Sequence, residues 1–133
     1  MRARGVPYGG RFFAAANDAQ RDNEALAEWE ARKDGDLRGF WPTSDIPFGH
    51  ETHQRQNFNS HGYRKWAEFF NPCQLLAHAS LLKSIMANST VSLKTRHAVL
   101  GAFQQYLRNN NLFCIWNIQA DKLEPIFANP NYH

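Results

Sequence analysis

The sequence predicts a mainly α protein, a small helical segment of three helices and one short strand. Three observations point there. Apolar residues recur at helical spacing in two stretches, Leu75, Ala79, Leu82 and Ile85 or Met86, then Leu93, His97, Leu100, Phe103 and Leu107. A third stretch, after Asn17 and Asp18, is dense in charge and opens on residues that favour helix caps. Only "LFCIW" is short and apolar enough to read as a buried strand.

Taken in order, Asn17 or Asp18 caps a first helix running to about Lys33, with Gly35 as a stop. Its face alternates charge (Arg21, Asp22, Glu24, Glu28, Glu30, Arg32, Lys33), and Leu26 and Trp29 are the residues expected to dock it. Residues 35–61 hold Gly, Pro, Ser, Asn and His without a period and read as a long loop. Next comes "GYRKWAEFFNPCQLL". Pro72 disfavours helical geometry at Asn71, so a helix through Trp66, Phe69 and Phe70 must end there. Asn71 then serves as N-cap, Pro72 fits the first helical position, and Gln74 stands where a capping-box partner belongs. Phe70 and Leu75 occupy the two positions of a hydrophobic staple. The helix opened there fades at "ANST", and Ser92 or Ser89 caps another to about Asn109. The "NNN" at 109–111 suits a left-handed exit. The organisation expected is an N-terminal charged helix region (1–34), a loop (35–61), and a helical hairpin with a short C-terminal strand (62–133), one domain or domain fragment overall.

With 133 residues the chain has room for one domain. No run approaches the ~20 apolar residues a membrane helix needs, and "MRARGVPYGG" lacks the apolar centre of a secretory signal. Two cysteines, Cys73 and Cys114, suit a reducing compartment, so the expected location is cytoplasmic, with no membrane partner. The formal charge of +3 hides an asymmetry. Residues 1–40 balance seven basic against seven acidic side chains. From Thr52 to Ala120, Arg55, Arg64, Lys65, Lys83, Lys94, Arg96 and Arg108 face Glu68 alone. Such a field favours a polyanionic partner, nucleic acid or an acidic protein surface.

Other constellations carry less. His50, His53 and His61 are spaced H-x2-H-x7-H in a loop, whereas the metalloprotease pair needs histidines four apart on a helix, so no metal site is expected. Cys73 stands near a helix N-terminus, which would lower its pKa, but packing is the simpler role for both cysteines. Trp66 and Phe69 could stack on bases, yet they alternate helically with Phe70, which favours the core. Asn129, Pro130 and Tyr132 imitate the D/N/S-P-P-Y motif of amino-group DNA methyltransferases. Asn131 replaces the second proline, however, and Pro125 weakens the strand before it. They are decoys, and no catalytic residue is assigned.

Between residues 9 and 132 the chain resembles adenine-specific DNA methylases of the large prokaryotic class, whose opening domain is of unknown function. The residues that carry the resemblance are "GGRFFAAANDAQ", "GYRKWAEFFNPCQLL", then Asn110-Asn111-Leu112-Phe113-Cys114, then Lys122-Leu123-Glu124-Pro125-Ile126-Phe127, in the family's order. Cys73 stands where that family usually has arginine. The resemblance implies an interior helical region of a larger α/β methyltransferase, between its F-x-G-x-G cofactor element and its D-P-P-Y catalytic element, neither of which this sequence carries convincingly. The parent enzyme would move a methyl group from S-adenosylmethionine to adenine N6 of flipped-out DNA. This chain would hold no cofactor and be inactive alone, and its partners would be DNA and the remainder of the methyltransferase or its split subunits. Arg64, Lys65, Lys83, Lys94, Arg96 and Arg108 are the expected phosphate contacts. The alternative is an independent helical binding module for nucleic acid or an acidic protein.

Overall fold

The computed structural model describes residues 19–55 and 57–125. The expected caps Asn17 and Asp18 lie outside these, as do Asn129, Pro130 and Tyr132. Helix α1 spans Ala19–Arg32, rich in good helix formers and laced by pairs one turn apart. Gln20 Nε2 donates to Glu24 at 2.9 Å, and Arg32 pairs with Glu28 at 2.7 Å. Of its two expected anchors only Trp29 is buried, while Leu26 is 42 % exposed. Three residues advance a helix by about 300°, so a narrow contact can take one of the pair and leave the other at its margin.

The stretch 35–61 contributes more than a loop would. It holds no long element, yet Leu37, Ile46 and Phe58 are all buried, and Leu37 has no exposed surface. The chain turns back under α1, with Trp41 Nε1 donating to the Lys33 carbonyl at 2.9 Å and its ring meeting Trp29 edge-on at 5.3 Å. Asp45 then forms an isolated antiparallel bridge with Lys65, backed by a 2.8 Å bond from the Ile46 N–H to the Arg64 carbonyl. A single π-helical turn covers His50–Arg55. After Phe58 the chain reverses so tightly that Gly62 takes φ +87°, a left-handed conformation a side chain would resist. That reversal delivers Tyr63 and Arg64 alongside the 44–46 segment.

The stop-and-restart signal forms as its residues dictate. A 3-10 turn, Trp66–Phe69, ends at extended Phe70, and helix α2 runs Pro72–Ala87. Asn71 Oδ1 accepts from the Gln74 N–H at 2.8 Å, and Gln74 Oε1 accepts from the Asn71 N–H at 3.0 Å, with Pro72 opening the helix. Helix α3, Leu93–Arg108, is capped by Ser92, which accepts from the Thr95 N–H at 3.1 Å. Its expected stripe is only partly covered: Phe103 is buried, but Leu93 is 66 % exposed. The exit is not left-handed. Asn109 sits at φ −99°, and the Asn111 side chain satisfies the last carbonyls, donating to Leu107 and Arg108 at 3.1 Å.

The strand at "LFCIW" exists as β1, Cys114–Asn117, but it is not buried, and it has an unforeseen partner, β2, Lys122–Pro125. They pair antiparallel with Trp116 opposite Leu123. Ile115, Trp116, Ile118 and Leu123 are all exposed. The structure is therefore mainly helical with one two-stranded hairpin among the described residues. Two buried clusters hold it together. Trp29, Leu37, Leu75 and Ala79 form one, and Ile46, Phe58 and Phe69 the other, with Phe70 packed against both. The hairpin is tied to the second through Phe113, whose ring meets Phe69 at 4.7 Å, and through the Leu112 N–H donating to the Phe69 carbonyl at 2.9 Å.

Candidate nucleic-acid interface

The six expected phosphate contacts do not form one patch. Lys83 is spoken for: its Nζ lies 2.7 Å from Asp36 Oδ2, and Arg32 already grips that carboxylate through bonds of 3.1 Å to Oδ1 and 2.9 Å to Oδ2. These bonds, first the one from Arg32 and then the one from Lys83, hold the Asp36 carboxyl far below the usual carboxylate range. The trio ties the end of α1 to α2. Arg96 folds back the same way, donating from Nη2 to the Asn88 carbonyl at 2.6 Å beyond the end of α2.

Lys94 and Arg108 are exposed at opposite ends of α3. Fourteen residues apart, they differ by about 40° around the helix and lie about 21 Å apart along it, so they share a face. Arg96, about 160° around from Lys94, points elsewhere by the same geometry. Arg64 and Lys65 are exposed on the extended run before the 3-10 turn. Glu68 does not neutralise them through their side chains. Its Oε2 instead accepts the Arg64 and Lys65 backbone N–H groups at 2.6 and 3.0 Å. Those two bonds, led by Lys65, keep the Glu68 carboxyl below the ordinary glutamate range. No ion pair engages Arg64, Lys65, Lys94 or Arg108 among the described residues. Of the six expected contacts, these four are left to meet an external anion.

Arg64 and Lys65 help line a cleft of about 380 Å³, together with Asp45, Ile46, His53, Asn59 and Tyr63. Sequence reasoning placed His53 in a metal-ligand test and missed this grouping, because the Asp45–Lys65 bridge that creates it is non-local. Among the described residues there is no group of three His, Cys, Asp or Glu able to hold a metal ion. A second cavity, about 310 Å³, lies between α2, α3 and the 39–42 turn. It is lined by apolar groups and His78, whose Nε2 meets the Asn110 carbonyl at 2.9 Å while burial pushes the imidazole pKa down.

The aromatics of residues 62–76 serve the core. Phe69 is buried and cannot receive a base, and Trp66 packs edge-on against it at 5.4 Å. Cys73 reverses the expectation for a thiol at a helix N-terminus. Partial burial, then Asp22, to which Cys73 Sγ donates at 3.6 Å, pushes its pKa up. A neighbouring carboxylate and lost solvation outweigh the helix dipole, which leaves the thiol a poor nucleophile. Cys114 Sγ donates to the Arg108 carbonyl at 3.6 Å. Among the described residues no helix is long and apolar enough to cross a membrane. No family model matches the chain, and neither does any curated protein or solved structure.

Proposed function

We propose that this chain is a non-catalytic helical component of an S-adenosylmethionine-dependent adenine-N6 DNA methyltransferase, working in the cytoplasm, where it covers the catalytic core and contacts DNA phosphates. The ordered resemblance over residues 9–132 supports this reading. The single observation that carries it is the hairpin. A two-stranded sheet is marginal alone, yet this one leaves Ile115, Trp116, Ile118 and Leu123 exposed, as a surface awaiting a neighbouring part of a larger protein would. Of the six expected contacts, the four with no ion pair among the described residues, Arg64, Lys65, Lys94 and Arg108, supply the phosphate contacts. Lys83 and Arg96, turned inward by Asp36 and Asn88, contribute only through the field. The cofactor and the transferred methyl group belong to the rest of the enzyme.

The test measures duplex-DNA affinity against salt concentration. A Lys94→Ala, Arg108→Ala double variant should flatten the logarithmic slope by about two units, since each phosphate contact contributes about 0.9. Mixing the chain with polypeptides that carry the F-x-G-x-G and D-P-P-Y elements should give adenine-N6 transfer that neither partner shows alone. An unchanged salt slope together with no stimulated transfer would refute the proposal. Two closed core clusters favour the second reading, a binding module that folds independently. That reading gives the same salt slope without any stimulated transfer.

A further inference from the structure

We propose that the cleft between the Asp45–Lys65 bridge, His53 and Asn59 is a nucleotide-phosphate site, with Phe48 beside it as the platform for the attached base. This rests on, and sharpens, the nucleic-acid reading above. The cleft gathers two cationic side chains, Arg64 and Lys65, with three further hydrogen-bonding side chains, His53, Asn59 and Tyr63. Its volume of about 380 Å³ falls in the range of small-ligand sites.

The His53 and Tyr63 rings and the Arg64 backbone are held before any ligand arrives. His53 Nδ1 lies 3.3 Å from the Gly49 backbone nitrogen and 2.9 Å from Thr52 Oγ1, contacts that fix the ring. The Tyr63 ring is wedged between Phe69 at 5.6 Å and Phe113 at 5.1 Å, so its hydroxyl is carried on a fixed support. Arg64 is pinned through its carbonyl to Ile46 and through its N–H to Glu68. Asp45 is the opposing charge and limits how much anion the cleft accepts, which favours a single phosphate over a polyphosphate. Phe48 supplies a second, independent observation. It is 86 % exposed, the most exposed large apolar side chain among the described residues, and its ring lies against the cleft-lining His53 at 4.3 Å, tilted by 40°. An aromatic face in solvent beside a basic cleft is how single-stranded nucleic acid is held without sequence readout.

The full chain is titrated with inorganic phosphate, followed by backbone amide shifts, and with a fluorescent eight-nucleotide oligothymidylate, followed by anisotropy. Tyr63→Phe keeps the ring packing and removes only the hydroxyl, and Asn59→Ala removes a solvent-facing amide. Neither changes net charge, so a diffuse basic field predicts no effect from them, while a built site predicts about tenfold weaker binding of both probes. Phe48→Ala should weaken the oligonucleotide about tenfold and leave inorganic phosphate unchanged. Asp45→Asn should tighten both probes more than Glu24→Gln on α1 does.

Wild-type affinity in Tyr63→Phe and Asn59→Ala, both melting normally, overturns the site. If they bind as wild type while the Lys94, Arg108 double variant still flattens the duplex salt slope, the cleft fails and the functional reading stands. If they lose oligonucleotide while that slope is insensitive, the cleft stands and the functional reading fails.

Discussion

Replacing Leu37 with Ala tests the claim that residues 35–61 belong to the core. The side chain has no solvent exposure and packs with Trp29, Leu75 and Ala79. Truncation removes three carbons, at about 0.8 kcal/mol of lost transfer free energy per buried methylene, or about 2.4 kcal/mol. A void between two helices that cannot fully close adds to this, giving about 3 kcal/mol, inside the 2–5 kcal/mol range for buried Leu→Ala changes. A domain of this size melts about 4 °C lower per kcal/mol, so the midpoint should fall by about 12 °C. Urea denaturation followed by tryptophan fluorescence reads it well, because Trp29 and Trp41 lie against the site. Leu26→Ala, on the exposed side of α1, is the control and should move stability by no more than about 0.5 kcal/mol. If Leu37→Ala costs less than about 1 kcal/mol, the segment is not part of the core and the packing argument fails.

Asn71→Ala removes one half of the reciprocal cap and should cost about 1 kcal/mol by the same denaturation assay, with a loss indistinguishable from zero counting against it. His78 is held neutral by burial, so its folded pKa lies below its unfolded one. The stability this confers is complete above the ordinary histidine range and drains away as pH falls through the folded pKa. A His78→Gln variant should show a flatter stability profile there, and an imidazole NMR titration at or above the ordinary value would contradict this. Glu68, lowered by two backbone N–H donors, works the same way one window further down. Wild type should lose stability as pH falls below the ordinary glutamate range, and Glu68→Ala should lose less over that interval. Alkylation of Cys73 near neutral pH should be slow and should speed up in Asp22→Asn, since the carboxylate beside the thiol resists its ionisation.

What the sequence disclosed follows the range of the interactions involved. The Asn71-Pro72-Gln74 cap is a contact between near neighbours, and it appeared where those residues stand. So did α3, which rests on a seventeen-residue window from Ser92 to Arg108. The buried members of 35–61 are single residues, Leu37, Ile46 and Phe58, with no period between them, so no periodic template could find them. The second strand was masked by its own composition, since Pro125 and alternating charges argue against a ladder, yet Pro125 sits at the strand's last position, where it disrupts least. Lys83 looked like a free cation because its partner, Asp36, lies 47 residues away. Likewise the cleft lined by Arg64 and Lys65 depends on Asp45 meeting Lys65 across a chain reversal, and only the bridge reveals that His53, Asn59 and Tyr63 share it.

Phe70 touches both buried clusters from the two-residue hinge before α2. One ring thus serves as the keystone between the α1–α2 half and the aromatic half that carries the hairpin. Loosening either half withdraws support from the other, so the two should open in amide exchange as a single foldon rather than in sequence. A companion protein clamped onto the hairpin would then slow exchange in α1, on the far side of that keystone, without touching it.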